Sequence, residues 1–116
     1  MSLLDTTQIA LQDAMQGSML RQTLLTNNLA NVDTPGYKRQ DVDFQGTLRA
    51  ALESGQPLDQ VTFKPFTDPQ VMRADGNGVS VDQEAAYASE NGLLHQELTQ
   101  IAAAREQILQ SAMGVR

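Results

Sequence analysis

Proline divides this chain into three parts. All four prolines lie between positions 35 and 69, at Pro35, Pro57, Pro65 and Pro69. Proline interrupts a helix because it lacks an amide hydrogen and its ring clashes with the preceding turn. The two ends can therefore form long helices. The middle, which also holds all three phenylalanines, is expected to be irregular.

The N-terminal end, residues 3–32, has apolar residues at a seven-residue spacing. Six of the nine positions in two adjacent rows are apolar, and the rows are Leu4, Leu11, Ser18, Leu25, Val32 and Gln8, Met15, Gln22, Leu29. This spacing is typical of a coiled-coil-like helix rather than a strand. The helix should end within residues 31–36, since Pro35 and Gly36 do not continue a helix.

The C-terminal end, residues 82–113, shows the same spacing, in the rows Tyr87, Leu94, Ile101, Ile108, Val115 and Asn91, Leu98, Arg105, Ala112. Ser80 and Asp82 are candidate N-caps. We expect a mainly α fold in which the two end helices pair as an antiparallel, coiled-coil-like hairpin. Residues 1–32 and 82–116 would then form one structural unit, and residues 33–81 would form the middle.

The middle carries three local signals. Phe44, Leu48, Ala51 and Leu52 share one helical face, and Gly55 can end a short helix there. Val61 and Phe63 alternate with polar residues, which indicates a short strand. The turn sequence at 75–78, between 71–72 and 79–81, predicts a small β-hairpin.

Composition excludes several classes of function. Eight basic against fourteen acidic residues give a net charge of −6, which does not suit generic nucleic-acid binding. With no cysteine and one histidine, disulfides, thiolate metal sites and multi-histidine sites are excluded. We interpret His95 as a residue on the flank of a helix, and Asp41 and Asp43 as a solvated turn. We therefore predict no catalytic, cofactor or metal site.

The first helix is nearly uncharged: among the first 31 residues only Asp5, Asp13 and Arg21 carry charge. A long polar helix with so few charges suits burial among other protein chains, where amides can find hydrogen bonds but charges would need partners. The alternative is a glutamine-rich surface helix of a monomer. The apolar rows then form a candidate assembly stripe: Leu4, Leu11, Met15, Leu25, Leu29, Tyr87, Leu94, Leu98, Ile101 and Ile108.

Residues 27–38, NNLANVDTPGYK, resemble the N-terminal signature of the bacterial flagellar axial proteins, which include rod, hook and hook-associated proteins. The sequence DVDF at 41–44, the segment 75–82 and the short length are similar to the proximal rod proteins of the basal body. Residues 52–72 carry no resemblance. Within the signature we expect a rigid elbow, although any helix stop would account for the same residue types: Asn27, Asn28, Leu29, Asn31, Asp33, Thr34, Pro35, Gly36 and Tyr37.

The resemblance implies a structural subunit that stacks helically into the periplasmic rod, transmits torque and surrounds the export channel. It also implies partners: copies of itself, other proximal rod proteins, the ring–rod junction adaptor and the export gate. Export by the flagellar type III apparatus would need no cleaved signal peptide, and we expect none. We expect no membrane span, because no apolar run approaches the required ~20 residues.

Phe44 and Leu48 match a short pattern of early substrates of the flagellar export gate, a phenylalanine followed four residues later by an apolar residue. The alternative is two neighbours on an amphipathic helix. Two other functions stay open from the sequence. One is a junction or other axial protein of the flagellum, and the other is a stand-alone helical-hairpin binding module.

Overall fold

The computed structural model describes residues 3–114, with side chains described for residues 5–114. Its elements are α1 (Leu3–Ala30), β1 (Gln40–Asp41), α2 (Phe44–Ser54), a 3₁₀ turn (Leu58–Gln60), β2 (Phe66–Thr67) and α3 (Val81–Ala112). The predicted mainly α fold with two long terminal helices is confirmed, and each predicted helix end lies within two residues of the observed one. Within residues 3–114, no helix has an apolar stretch long enough to cross a bilayer.

The two long helices pack side by side in opposite directions. Asn28 of α1 contacts Glu84 of α3, and Ser18, ten residues earlier, contacts His95, eleven residues later. Leu11 and Leu25 supply buried apolar contacts from α1. The molecule is a thin plate, with Cα extents of 62 × 32 × 14 Å.

The contact line on α3 departs from the predicted row. Tyr87 and Leu94 are half-buried, but Ile101 and Ile108 are 50% and 66% exposed. A straight α-helix rotates a seven-residue row by about 20° per heptad, so later members of the row turn away from the partner helix. The second predicted row keeps its burial, with Asn91 buried and Leu98 and Arg105 half-buried, and near the end of α3 Leu109 is half-buried in place of Ile108.

On α1, the predicted stripe residues whose side chains are described are buried or half-buried. Leu11 and Leu25 are buried, and Met15 and Leu29 are half-buried. The side chain of Leu4 lies outside the described residues.

The predicted short helix is α2, and it packs against α1. Asp43 caps its start by accepting a hydrogen bond from the Gly46 amide (3.0 Å), and Gly55 ends it with a φ of 75°. Phe44 is buried against Gly17 of α1, where an added Cβ would come within 2.5 Å of the phenylalanine Cβ. Gly17 is therefore the place where α2 meets α1.

A two-stranded antiparallel sheet is present in the middle, but its strands differ from the predicted ones. Gln40 pairs with Thr67, and Asp41 pairs with Phe66. A turn forms at 73–76, two residues before the predicted turn at 75–78, and no strands flank it, because the Asn77 side chain binds the end of α1. Residues 61–65 are irregular rather than the predicted strand.

Candidate functional site: the elbow and its polar cluster

The end of α1 is tied to β1 by a buried asparagine. Asn28 donates from Nδ2 to the Gln40 carbonyl (2.8 Å) and accepts at Oδ1 from the Gln40 amide (2.9 Å). Its side chain thus pairs with Gln40 as a neighbouring strand would. The same Nδ2 donates to Glu84 (3.2 Å), and the Tyr37 hydroxyl lies 3.4 Å from Oδ1. One residue therefore links α1, β1 and α3.

A second buried asparagine, Asn77, closes the C-terminal end of α1. The last carbonyls of a helix have no partner within the helix. Asn77 Nδ2 donates to the carbonyls of Asn31 (3.0 Å), Val32 (3.2 Å) and Thr34 (2.7 Å). Its Oδ1 accepts from the Val79 amide at 2.6 Å. The turn at 73–78 is thereby docked on the elbow, residues 31–37.

Backbone contacts reinforce this docking. The Gly36 amide donates to the Asp75 carbonyl (3.0 Å), and the Gly78 amide donates to the Tyr37 carbonyl (2.8 Å). Gly36 has a φ of 74°, a conformation that side chains with a Cβ rarely adopt. Lys38 Nζ adds a hydrogen bond to the Gly76 carbonyl at 3.1 Å. The route from α1 to the middle is therefore fixed to the segment that leads into α3.

A buried charged cluster lies beside the elbow. Arg39 donates to Glu84 of α3 and, at 3.0 Å, to Asp41, while Arg21 of α1 donates to the other oxygen of Asp41 at 2.9 Å. The guanidinium carbons of Arg21 and Arg39 lie 5.2 Å and 5.3 Å from the centre of the Tyr87 ring. The cluster joins both long helices to β1.

Pairing sets the charge states in the cluster. Burial alone would raise the pKa of Asp41, but hydrogen bonds from Arg21 and Arg39 outweigh burial and hold that pKa below its ordinary value. Burial opposes the charge of Arg39 too, yet its bonds to Glu84 and Asp41 raise the pKa of the guanidinium above its ordinary value. The cluster is therefore a set of fixed, mutually neutralising charges suited to holding elements together.

The other charged and aromatic residues that the sequence analysis considered fall as follows. Asp41 is buried and ion-paired, so its interpretation as part of a solvated turn is wrong; Asp43 is exposed and caps α2. His95 borders the seam between the long helices, where its Nδ1 lies 2.7 Å from Ser18 Oγ. Because the Ser18 hydroxyl donates its hydrogen to the Met15 carbonyl, His95 Nδ1 is the donor to Ser18 Oγ. In the described part of the chain, no three histidine, aspartate or glutamate side chains converge as metal ligands would.

The signature residues divide into two groups. Asn28 is buried and bonded, while the backbone or side chains of Asn31, Thr34, Gly36 and Tyr37 join the docked elbow. The side chains of the remaining members lie outside this bonding: Asn27, Asp33 and Pro35 are exposed, and Leu29 is half-buried.

Three residues of the site carry no local signal in the sequence. Arg39 and Glu84 are 45 positions apart, and nothing near either one predicts their pairing. Asn77 belongs to a turn sequence whose ordinary meaning is a hairpin. The one available signal for Glu84 was its place in a predicted row. Glu84 lies seven residues before Asn91, so it continues the row of Asn91 and Leu98 on α3, and both Glu84 and Asn91 are buried.

Comparison with known proteins points in one direction. Residues 4–38 match the family of flagella basal body rod proteins. The chain is 30% identical over 105 residues to the flagellar basal body rod protein FlgB of Yersinia enterocolitica, covering 73% of this chain and 77% of that protein. It is 30% identical to FlgB of Escherichia coli strain K12 (73% and 76% covered) and to FlgB of Bacillus subtilis strain 168 (86% and 87% covered). The matched segment 4–38 covers α1 from its second residue onward and the elbow.

Proposed function

Since this chain belongs to the FlgB family of flagellar basal body rod proteins, it is a structural subunit of the rod, and we propose that it occupies the proximal rod. The family is a structural one and not an enzyme family. There the subunit stacks helically with other axial proteins, surrounds the export channel and transmits torque. The observation that carries the proposal is the docked elbow, which joins both long helices to the middle by buried polar contacts.

Torque transmission requires that load on one part of a subunit reaches the others without internal sliding. Asn28, Asn77 and Arg39 each connect elements that are far apart in sequence. Buried, fully paired polar groups are costly to disrupt, because breaking one leaves a desolvated partner. Residues 1–32 and 82–116 then act as one unit, and residues 33–81 project from it at an angle set by the elbow.

The assembly stripe contributes in two ways under this proposal. Its buried and half-buried members, such as Leu25 and Leu98, stabilise the single chain. Ile101 and Ile108 remain exposed in the single chain and are free to contact neighbouring subunits. An apolar residue that is exposed in one chain and covered in an assembly gains burial energy only when the assembly forms.

Location and partners follow from the same proposal. The subunit belongs to the flagellar basal body and assembles with other rod components. We place it in the periplasmic rod, after export by the flagellar type III apparatus without a cleaved signal. Its neighbours there are copies of itself, other proximal rod proteins, the ring–rod junction adaptor and the export gate.

The predicted export-gate motif, Phe44 and Leu48, can act only while Phe44 is accessible. Phe44 is buried against Gly17 and lies edge-on to Phe63 at 6.3 Å, while Leu48 is half-buried. A receptor cannot reach Phe44 in the folded chain, so the motif would act before folding. Leu48→Ala should reduce secretion while Leu58→Ala, which removes a buried leucine outside the motif, should not. Equal secretion of both variants would remove the motif from the proposal.

The proposal is tested by deleting the gene in the source bacterium and imaging purified basal bodies by electron microscopy. Rings that lack rod and hook, with motility restored by the wild-type gene, are the expected result. Complete basal bodies with normal swimming would contradict a proximal rod role. A rod that starts normally but stops farther along the axis would assign the chain to another axial position.

A further inference from the structure

Two of the five asparagines in this chain are followed directly by glycine, at Asn77-Gly78 and Asn91-Gly92. An asparagine before glycine is the sequence in which spontaneous deamidation is fastest, because glycine has no Cβ to hinder attack by its own amide nitrogen. The other asparagines precede asparagine, leucine or valine, whose side chains hinder that attack: Asn27, Asn28 and Asn31. In the unfolded chain, Asn77 and Asn91 are therefore the two most reactive asparagines.

The reaction needs only the chain and water. The glycine amide nitrogen loses its proton to solvent and attacks Cγ of the preceding asparagine, which forms a succinimide ring. The bond between Cγ and Nδ2 breaks, and Nδ2 takes up a proton and leaves as ammonia. Water then opens the ring at Cγ to give aspartate, or at the backbone carbonyl carbon to give isoaspartate. Isoaspartate lengthens the main chain by one carbon atom.

Folding holds both reacting groups of Asn77 in place. The side chain is fully buried, and its Nδ2, the leaving group, donates to three carbonyls at the end of α1. Its Oδ1 accepts from the Val79 amide, so Cγ cannot turn without breaking bonds on both sides. The attacking nitrogen is held as well, because the Gly78 amide donates to the Tyr37 carbonyl at 2.8 Å. Ring closure therefore requires the elbow to open first.

Asn91 is held by a different environment, inside α3 and against α1. Its side chain is 1% exposed, and Nδ2 donates to the Ser18 carbonyl (2.8 Å) and to Gln22 Oε1 (3.0 Å). Within an α-helix the amide of the next residue donates to the carbonyl four residues earlier, which fixes the attacking nitrogen. Ring closure at Asn91 therefore requires α3 to unwind and to separate from α1.

We propose that Asn77 and Asn91 are spontaneous modification sites of the unfolded chain and that folding stops the modification at both. The products do not fit the fold. An aspartate at position 77 would direct a carboxylate at carbonyl oxygens, and one at position 91 would place a charge against the Ser18 carbonyl. Within residues 3–114 no donor reaches Asn91 Oδ1, so that charge would be unpaired. Deamidation before folding therefore destabilises the native state, and it limits how long the chain can stay unfolded.

The two glycines differ in whether the fold requires them. A Cβ at Gly78 would lie 2.5 Å from the Gln70 carbonyl oxygen, so packing imposes glycine after Asn77. A Cβ at Gly92 would meet no atom within 4 Å, and alanine favours a helix. Gly92→Ala is therefore compatible with the fold and removes one reactive sequence, which makes it the matched control.

The test compares the purified full-length chain in buffer with the same chain unfolded in guanidinium chloride. Peptide mass spectrometry follows deamidation at each asparagine. In the unfolded chain Asn77 and Asn91 should react faster than the other three, and Gly92→Ala should slow Asn91 alone. In buffer Asn77 should react at least about 100-fold more slowly than in the unfolded chain, since three hydrogen bonds worth about fivefold each must break first. A peptide of residues 73–81, measured in both solvents, corrects for the denaturant itself.

A refolding step tests the consequence. Chains aged in guanidinium chloride and then refolded should unfold at a lower urea concentration than fresh chains, and the difference should grow with the deamidated fraction. Chains aged in the folded state for the same time should unfold like fresh chains. Equal deamidation rates in the folded and unfolded chain, after correction with the peptide, would overturn the proposal. Deamidated chains that unfold at the same urea concentration as fresh chains would overturn it too.

Discussion

Removing the Asn77 side chain should destabilise the contact between the elbow and the turn at 73–78. The side chain has two amide hydrogens shared among the carbonyls of Asn31, Val32 and Thr34, and an oxygen that accepts from the Val79 amide. Asn77→Ala therefore removes the equivalent of three hydrogen bonds. At about 1 kcal/mol net for each bond, the free energy of unfolding should fall by about 3 kcal/mol. That is a large share of the 5–15 kcal/mol typical of a domain.

Asn77→Asp tests the direction of the bonds. At pH 7 a carboxylate cannot donate and faces three carbonyl oxygens, so the loss should be at least as large as for alanine. Near pH 3 the protonated acid can donate one hydrogen bond, and part of the stability should return. Asn27→Ala is the control, because Asn27 is exposed and should change the free energy of unfolding by less than about 0.5 kcal/mol.

The assay is urea unfolding followed by far-ultraviolet circular dichroism, with an unchanged urea dependence as evidence that the same transition is compared. An Asn77→Ala variant within 0.5 kcal/mol of the wild type would refute the reasoning, since it would mean that water replaces the side chain at no cost. A loss of the same size in Asn27→Ala would also refute it, because the effect would then not come from the hydrogen bonds of the Asn77 side chain.

Three further perturbations follow from the polar cluster and its surroundings. Arg39→Met leaves Glu84 buried without its charged partner, with the Asn28 amide as its remaining donor, and should lower the free energy of urea unfolding by about 3–5 kcal/mol. Glu84→Leu in the same chain should restore part of the loss, and no recovery would mean that the pair is not coupled. The pKa of Asp41 is lower in the folded chain than in the unfolded chain, so its contribution is complete above about pH 4–5 and is lost as the pH falls toward the folded pKa. Urea unfolding between pH 2 and pH 6 should show this loss. A free energy of unfolding that stays constant as the pH is lowered below 4 would contradict it. Burial and the neighbouring Asp59 raise the pKa of Asp13, so this carboxyl reduces stability once the pH exceeds its pKa in the folded chain. Asp13→Asn should therefore raise the free energy of unfolding by up to about 0.5 kcal/mol at pH 7 and leave it unchanged near pH 3. A variant that is less stable than the wild type at pH 7 would contradict the sign.

The long helices and the short helix could be predicted because their signals are local. The seven-residue spacing and the absence of proline define α1 and α3, and Gly55 defines the end of α2. What the spacing could not give is the rotation of the contact line along α3. Leu109 rather than Ile108 is half-buried, because the repeat of a straight helix is not seven residues.

The site depended on contacts between distant positions, which no local pattern encodes. Arg39 and Glu84 were invisible because a charged residue ordinarily indicates a solvated surface. Asn77 was hidden for a different reason: its neighbours favour a hairpin turn, and the turn does form. Its side chain, however, binds the end of α1 rather than supporting a ladder of strand pairs. The sheet formed elsewhere, between 40–41 and 66–67.

The buried polar contacts between α1 and α3 also give the pair a mechanical direction. Asn28 with Glu84, Ser18 with His95 and Asn91 with the Ser18 carbonyl are spread over ten residues of α1, about 15 Å along its axis. Force applied along the axis loads all of them in parallel, and the helices cannot slip by one turn until every contact breaks together. Force that separates the helices from one end meets them one after another. The pair is therefore stiff in shear and weak in peeling.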